Sequence, residues 1–123
     1  MNIKELLTIR QIVPADSKSG SIQTKYKMAR FLKETESDLD FYQKEFRKII
    51  DQCAEHKEDG SIATDENGGI PILNDMQETF YKESSELDKT EVNIPDIRFS
   101  IEELADFDMS ANDLIKLDPI IEN

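Results

Sequence analysis

The pair of residues best suited to nucleophilic chemistry is Cys53 and His56, which lie three positions apart in a segment that we expect to be helical. At that spacing on a helix a thiol and an imidazole can touch, and such a pair can generate a reactive thiolate. Cys53 also falls on a regular line of apolar residues, where a buried cysteine usually acts as a small hydrophobic side chain. We therefore interpret Cys53 as a structural residue and predict no catalytic site.

The acidic segment around Asp65 resembles the start of a calcium-binding loop, since Asp65, Asn67 and Gly69 have the spacing of its first positions. The likeness ends at the twelfth position, where Met76 replaces the glutamate that would bind the ion with both oxygens. The sequence also lacks glycine-rich phosphate loops, the Gly-x-Ser-x-Gly elbow and the His-Glu-x-x-His zinc motif. We expect a solvated turn at Asp65, no metal, no cofactor and no enzymatic activity.

The composition of the 123 residues limits the partners that the chain can have. One cysteine and one histidine exclude an internal disulfide and any zinc site built from cysteines. Because 27 acidic residues outnumber 15 basic ones, direct binding to nucleic acid or to an anionic membrane is disfavoured. No apolar stretch approaches the roughly 18 residues of a membrane span, and the N-terminus lacks the features of a signal peptide. We expect a soluble, intracellular protein.

A line of apolar positions along one predicted helix is the strongest pattern in the sequence. Its spacings alternate between four and three residues, which is one face of a helix with the coiled-coil period. Residues 22–56 contain no glycine or proline, and Ser21 is suited to cap their start. We predict one helix of about 35 residues, roughly 50 Å long. We call the apolar line the seam; it comprises Met28, Leu32, Thr35, Leu39, Tyr42, Phe46, Ile49 and Cys53.

A β-hairpin is predicted after this helix. Asn67 and Gly68 have turn chemistry and stand between two short apolar runs, 62–64 and 70–72. Pro71 cannot donate an N–H to a ladder, so its strand should be an edge strand or pair only briefly.

A second helix is predicted after the hairpin. Asn74 and Gln77 are spaced as a capping box, and the helix should continue to about Leu87. Its apolar stripe would face the second half of the seam if the chain doubles back. The stripe consists of Met76, Phe80, Ser84 and Leu87.

The last third of the chain is predicted to be extended and then helical. Ser100 with Glu103 and Ser110 with Asp113 have the spacing of capping boxes, and each opens a short helix. The predicted fold class is therefore α+β and mainly α. It has a long helix, an antiparallel return helix with the β-hairpin between them, an extended segment and two short C-terminal helices. We predict a single domain, 1–123, in which residues 1–20 are a candidate for a loosely packed arm.

Charge is distributed unevenly along the chain. Residues 1–57 hold eleven basic and nine acidic side chains, whereas residues 58–123 hold four and eighteen. Blocks of like charge along the long helix could set the register of a neighbouring helix. They could equally be solvated faces that contribute only solubility. A third interpretation is that the acidic half imitates a nucleic-acid backbone in the basic cleft of another protein.

Four segments of the chain resemble those of a known family. They are YKMARFLK at 26–33, KEDG at 57–60, FYKE with ELDKTEV at 80–92, and MSA with the residues at 114–121. They are similar to segments of small tailed-phage and prophage proteins, in which the helix core resembles Y-K-L-A-K-L-L-K and the turn K-D-E-N-G. Asp88 and Lys89 here replace a usual apolar residue, and Ala111 stands where proline is common. The resemblance implies a phage or prophage setting and a non-enzymatic protein, without a mechanism.

These observations predict a phage-encoded, non-enzymatic interaction protein that is a minor virion component or an assembly accessory. The alternative is a host-directed inhibitor of a bacterial defence or replication protein. One form of this alternative is an acidic mimic of nucleic acid. The expected location is the host cytoplasm during infection or lysogeny, with the virion as a second location. The expected partners are a second copy of the chain or another phage or host protein, since the long apolar seam favours self-association.

The residues that we predict to form the core or the contact surface belong to the seam, the return helix and the C-terminal segments. From the seam and the return helix they are Met28, Leu32, Leu39, Tyr42, Phe46, Ile49, Phe80 and Leu87. From the C-terminal segments they are Ile94, Ile97, Phe99, Leu104, Leu114, Leu117 and Ile120.

Overall fold

The computed structural model describes residues 1–122, which form helices joined by turns and extended segments. The helices in this range are α1 (Ile3–Ile12), α2 (Ile22–Glu34), α3 (Glu36–Cys53), α4 (Gln77–Asp88), α5 (Ile101–Ala105) and α6 (Ala111–Lys116), with 3₁₀ turns at Asn74–Met76 and Asp118–Ile120. Helices account for 57% of the structure and strand or bridge positions for 7%, without a sheet in the described residues. The predicted α+β fold class is therefore wrong, and the fold is helical.

The predicted β-hairpin between residues 62–64 and 70–72 is also wrong, because each run pairs with segment 54–57 instead. This segment follows α3 directly and makes one isolated antiparallel bridge to each run. Glu55 donates its N–H to the Pro71 carbonyl at 2.9 Å, and its own carbonyl accepts an N–H from the first run at 2.9 Å. Pro71 takes part only as an acceptor, since it has no N–H to donate.

The predicted long helix is interrupted at Thr35, between α2 and α3. In an uninterrupted helix the Leu32 carbonyl would accept the N–H of residue 36. Here it accepts a hydrogen bond of 2.6 Å from Nη1 of Arg10, which also donates to Oγ1 of Thr35. Thr35 Oγ1 donates in turn to the Phe31 carbonyl at 2.8 Å. Arg10 thus binds the C-terminus of α2, where the helix dipole favours a positive charge.

Replacing Arg10 with methionine should lower the free energy of unfolding by about 2 kcal/mol, because hydrogen bonds from charged groups typically contribute about 1.5–3 kcal/mol. Methionine retains an aliphatic stem, so the loss reports mainly the guanidinium. Urea denaturation measures it, and Arg10→Met combined with Thr35→Val completes a double-mutant cycle. We expect a coupling of about 1 kcal/mol between the two residues. Strictly additive losses would contradict the contact.

The chain divides into two compact units. The terminal unit comprises residues 1–39 together with the chain from Glu91 onward, and the central unit comprises residues 40–90. The division falls inside α3, between Leu39 and Asp40.

The terminal unit has the larger core, which α1, α2 and the C-terminal segments build together. Helix α1 buries Ile3, Leu6 and Ile9, whose spacing of three places them on one face. α1 is therefore a core helix. Phe99 and Ile121 form a parallel bridge that brings the end of the chain onto this core. The clustered buried side chains are Leu6, Ile9, Val13, Met28, Phe31, Ile97, Phe99, Leu104, Phe107, Leu117 and Ile120.

The helix caps show how far local sequence determines these elements. The predicted N-cap Ser21 is confirmed, since its hydroxyl accepts the N–H of Thr24 at 3.1 Å. The capping boxes that begin at Ser100 and Ser110 are confirmed as well. The predicted capping box at Asn74 does not form, and a 3₁₀ turn precedes α4 instead.

Glu103 joins the cap of α5 to α2. Its Oε1 accepts the Ser100 N–H at 2.9 Å, and its two oxygens accept hydrogen bonds of 3.0 and 3.1 Å from Nζ of Lys27. Nζ of Lys27 also lies 4.7 Å from the centroid of the Phe99 ring. Burial raises the pKa of Glu103, but the hydrogen bonds from Ser100 and Lys27 outweigh it and hold the pKa below its ordinary value.

Ionised Glu103 should therefore stabilise the protein at neutral pH. Because its pKa is lowered on folding, the stabilisation is complete above the ordinary glutamate pKa of about 4.3 and is lost as the pH falls through the lowered value. Melting temperatures of the wild type and Glu103→Gln between neutral and acidic pH measure this. The wild type should be the more stable at pH 7, and the two should converge in acid. A difference that does not change with pH would contradict the assignment.

The central unit has a smaller core, formed by antiparallel α3 and α4. Tyr42 donates a hydrogen bond of 2.8 Å to Oδ1 of Asp88, and the Tyr42 and Phe46 rings stack at 5.9 Å between centroids. The Phe46 ring meets Phe80 edge-on at 6.1 Å. Burial, followed by the hydrogen bond and the charge of Asp88, raises the pKa of Tyr42 to about 12. The buried side chains of this core are Ile49, Cys53 and Leu87.

Candidate interaction surface

The structure divides the predicted seam between the two cores. In the terminal core lie Met28, Leu32, Phe99, Leu114 and Leu117, together with Ile94, Ile97, Leu104 and Ile120. In the central core lie Tyr42, Phe46, Ile49, Phe80 and Leu87. Leu39 is half-buried and belongs to neither cluster of the described residues. Most of these positions pack in the interior of their unit, although Ile49 and Leu87 also line a groove at the surface.

Sequence reasoning identified only part of the buried face of α2. Thr24, Met28, Phe31 and Thr35 are buried there, whereas the seam position Leu32 is only partly buried. The residues at 24, 28, 31 and 35 also have spacings of four and three. That set shares Met28 and Thr35 with the seam and differs from it by Phe31 in place of Leu32 and by the addition of Thr24.

Cys53 and His56, the possible nucleophilic pair, lie in different surroundings. Cys53 is fully buried, while His56 is exposed and its Nε2 lies 3.1 Å from Oδ1 of Asp51. Burial raises the pKa of the Cys53 thiol, and the negative charge of Glu83 raises it further. A catalytic cysteine requires a lowered pKa, so these surroundings favour the unreactive thiol.

The side-chain carboxylate of Asp65 stabilises the acidic turn by accepting hydrogen bonds from its backbone. Oδ1 of Asp65 accepts the N–H groups of Asn67 at 2.9 Å and of Gly69 at 2.7 Å. Among residues 1–122, no group of three or more His, Cys, Asp or Glu side chains is placed to hold a metal ion.

The outer face of α2 exposes large apolar side chains next to basic ones. Ile22 is 77% exposed and Tyr26 is 65% exposed, and their spacing of four places them next to each other on the helix surface. Arg30 makes only a surface ion pair of 3.2 Å with Glu34 of the same helix. We call this surface the α2 face; it consists of the exposed Ile22 and of Tyr26, Ala29, Arg30, Lys33 and Glu34, which line a common depression.

A groove of about 450 Å³ lies between α3 and α4 in the central unit. Phe41, Ile49 and Leu87 contribute its apolar side chains. Three glutamates stand along its edges, and its one lysine, Lys48, forms an ion pair of 3.1 Å with Glu45. We call it the acidic groove; its lining is Phe41, Glu45, Lys48, Ile49, Gln52, Glu83, Glu86, Leu87 and Thr90.

The fold and these surfaces together define a helical protein of two units that presents apolar side chains beside charged ones on its helices. No family model, curated protein or solved structure matches the chain. None of the helices within residues 1–122 has the length and hydropathy needed to cross a bilayer.

Proposed function

We propose that this chain is a phage-encoded, non-enzymatic interaction protein, which serves as a minor virion component or an assembly accessory. The observation that carries the proposal is the α2 face, where Ile22 and Tyr26 are largely exposed beside Arg30 and Lys33. Tyrosine and arginine are enriched at the energetically important centres of protein interfaces. The phage setting rests on the resemblance of residues 26–33 and the later segments to small tailed-phage proteins.

A host-directed inhibitor is the second candidate, because residues 58–123 hold eighteen acidic and four basic side chains. The acidic residues belong to both units, with thirteen in the central unit and fourteen in the terminal unit. A mimic of nucleic acid needs its charge along one strip, whereas the acidic residues of 58–123 are interspersed with core residues such as Leu87, Phe99 and Leu104, which favours the virion or assembly role. In either role the chain acts in the host cytoplasm during infection or lysogeny, and the virion is its second location.

Mass spectrometry of purified particles, combined with a time course of expression, tests the two roles. We expect the polypeptide late in infection, in particles or in assembly intermediates. Early expression with absence from both would overturn the assembly role in favour of the inhibitor.

A pull-down from infected cells tests whether the α2 face is the surface in use. Tyr26→Glu should lose the proteins that the wild type retains, because a charge replaces the exposed aromatic ring at the contact. Tyr81→Glu is the matched control, since Tyr81 is similarly exposed on α4. Equal retention by both variants would show that partners bind elsewhere.

A further inference from the structure

We propose that Asn67 is a site of spontaneous covalent modification, at which the side-chain amide is lost and the residue becomes isoaspartate or aspartate, and that Asp65 slows this conversion by closing the turn. The inference is independent of the proposed function. Four observations carry it: the glycine that follows Asn67, the open surroundings of both residues, the hydrogen bonds of the turn and the contrast with a second glycine turn at Asp59.

The residue that follows an asparagine decides how readily the asparagine side chain reacts with the backbone. The next backbone nitrogen must reach Cγ of the asparagine, and a side chain on the next residue hinders that approach. Glycine has no side chain. Asn67 is followed by Gly68, whereas the other asparagines that have a successor precede isoleucine or aspartate. These others are Asn2, Asn74, Asn93 and Asn112.

The surroundings of Asn67 and Gly68 leave room for the approach. Both residues are exposed, and a Cβ added to Gly68 would have no neighbour within 4 Å beyond the adjoining residues. The hydrogen bond of 2.9 Å from Asn67 to Oδ1 of Asp65 uses the backbone N–H of Asn67. It therefore leaves the Asn67 carboxamide to rotate about its side-chain bonds. Water also reaches the exposed carboxamide, which the second step of the reaction requires.

The conversion consists of two steps whose atoms balance with water as the only co-reactant. The Gly68 nitrogen loses its proton and attacks Cγ of Asn67, so that a new N–C bond forms while the bond from Cγ to the amide nitrogen breaks. The proton ends on the departing ammonia, and a cyclic succinimide remains. Water then opens this ring: cleavage at the backbone carbonyl of residue 67 gives isoaspartate, and cleavage at Cγ gives aspartate. Asparagine is for such reasons a thermolabile residue in proteins.

The turn controls how often the Gly68 nitrogen is available. In the closed turn the Gly68 N–H donates to the Asp65 carbonyl at 3.1 Å. Oδ1 of Asp65 accepts the N–H groups of Asn67 at 2.9 Å and of Gly69 at 2.7 Å, which hold the same closed geometry. The attack on Asn67 requires the bond from Gly68 to open. Because these groups are exposed, brief local opening has a low free energy, and its frequency sets the rate.

The turn at Asp59 and Gly60 shows why the carboxamide matters. Gly60 has a φ of +88°, close to the +80° of Gly68, and its surroundings are equally open. The preceding residue is an aspartate, whose Oδ1 accepts the Ser61 hydroxyl at 2.6 Å and the Ser61 N–H at 3.0 Å. These hydrogen bonds hold the pKa of Asp59 below its ordinary value, so the carboxylate is ionised at neutral pH. An ionised carboxylate resists attack by a nucleophile, whereas the neutral amide of Asn67 does not.

Conversion of Asn67 changes the turn that contains it. Each product adds a negative charge beside Asp65 and Glu66, which repel it. Isoaspartate also inserts a methylene group into the main chain between Asp65 and Gly69. The Asp65 N–H donates to the Gly69 carbonyl at 2.8 Å, and the Gly69 N–H donates back to Oδ1 at 2.7 Å, so these bonds must rearrange. The modified chain therefore differs from the original in charge, in mass and in the geometry of the turn.

Incubation of the purified full-length chain at physiological temperature over a series of pH values tests the site. Anion exchange and peptide mass mapping follow the conversion, and an isoaspartate-specific carboxyl methyltransferase with S-adenosylmethionine labels its main product. We expect the mass change of an amide-to-acid conversion at residue 67 before any other asparagine shows it. The rate should rise with pH, because the attacking Gly68 nitrogen must lose its proton. Asn67→Gln is the matched control: it keeps the carboxamide on a longer side chain, which forms the larger ring much less readily, and should lose the conversion.

A comparison of Asp65→Ala with Glu66→Ala tests the part of the proposal that concerns Asp65. Both variants remove an exposed carboxylate close to Asn67, and Asp65→Ala also removes the acceptor of two hydrogen bonds in the turn. Asp65→Ala should therefore convert at least about threefold faster than Glu66→Ala, the effect of losing one ordinary hydrogen bond. Circular dichroism checks that both variants keep the helical content of the wild type.

Each part of the proposal has an outcome that would overturn it. An amide at position 67 that persists throughout the incubation, conversion that occurs first at another asparagine, or equal conversion in Asn67→Gln would overturn the site. Equal rates in Asp65→Ala and Glu66→Ala would overturn the role of Asp65. None of these results bears on the interaction role, which the particles and the pull-down test separately.

Discussion

Replacing Phe31 with alanine should lower the free energy of unfolding by about 3–5 kcal/mol, the usual range for a large aromatic side chain in a core. Phe31 is fully buried in the terminal unit, on the face of α2 that Met28 shares. Leu39→Ala should cost about 1 kcal/mol, a typical loss for a single substitution, because Leu39 is half-buried and lies outside both cores of the described residues.

Urea denaturation followed by circular dichroism measures both variants. The comparison separates the structure from the sequence pattern, because the heptad line contains Leu39 and omits Phe31. If Leu39→Ala lowered the free energy of unfolding as much as Phe31→Ala, the seam predicted from the sequence, and not the face that contains Phe31, would be the buried one.

The phase of the apolar stripe explains why the sequence could predict a helix at α2 without fully predicting which of its residues are buried. The sets 28, 32, 35 and 24, 28, 31, 35 both have spacings of three and four. Periodicity therefore indicates helix in either case, and only the elements packed against α2 decide which set is buried. Those elements are α1 and the C-terminal segments, which are distant in sequence.

The interruption of the helix at Thr35 could not be predicted from the neighbouring residues either, because it also depends on a group that is distant in sequence. Residues 22–56 lack glycine and proline, so nothing in the segment predicts a break. The group that binds the Leu32 carbonyl is Arg10, 22 positions earlier in the chain. The caps at Ser21, Ser100 and Ser110 were predictable because each depends only on residues within three positions.

The predicted β-hairpin does not form because α3 ends earlier than the sequence pattern indicates. The sequence pattern extends the helix to residue 56, whereas α3 ends at Cys53. The three following residues are thereby freed to pair, and Glu55 takes the backbone partners that the two runs would have offered one another. The turn at Asn67 and Gly68 still forms, closed by Asp65, but it does not join paired strands.

The candidate surface shows the same dependence on neighbours. Tyr26 lies within the predicted helix, yet the sequence does not distinguish an exposed tyrosine from a buried one. It is exposed because the opposite side of α2 carries Met28 and Phe31 into the core. Charge was more informative, since the basic residues of α2 were visible in the sequence as one block.

Substituting alanine for Gly20 should be among the most destabilising single changes outside the helices. Gly20 has a φ of +85°, and an added Cβ would overlap the ring of Phe107, a buried member of the terminal core. Left-handed backbone costs an alanine roughly 1–2 kcal/mol, and forcing a core side chain to move typically costs about 1–3 kcal/mol more. We expect a total loss of about 2–5 kcal/mol in urea denaturation.

Gly60→Ala is the matched control for this substitution. Gly60 has nearly the same φ, +88°, but an added Cβ there would have no neighbour within 4 Å. It should lose only the backbone contribution, so the difference between the two variants isolates the contact with Phe107. Adding Phe107→Leu to Gly20→Ala should cost less than the two single losses combined, because the smaller side chain makes room for the new methyl group. Equal losses for Gly20→Ala and Gly60→Ala would mean that the polar segment 16–20 is a simple connection. A larger loss for Gly20→Ala, which we expect, would instead show that the terminal core has no room for a side chain at position 20.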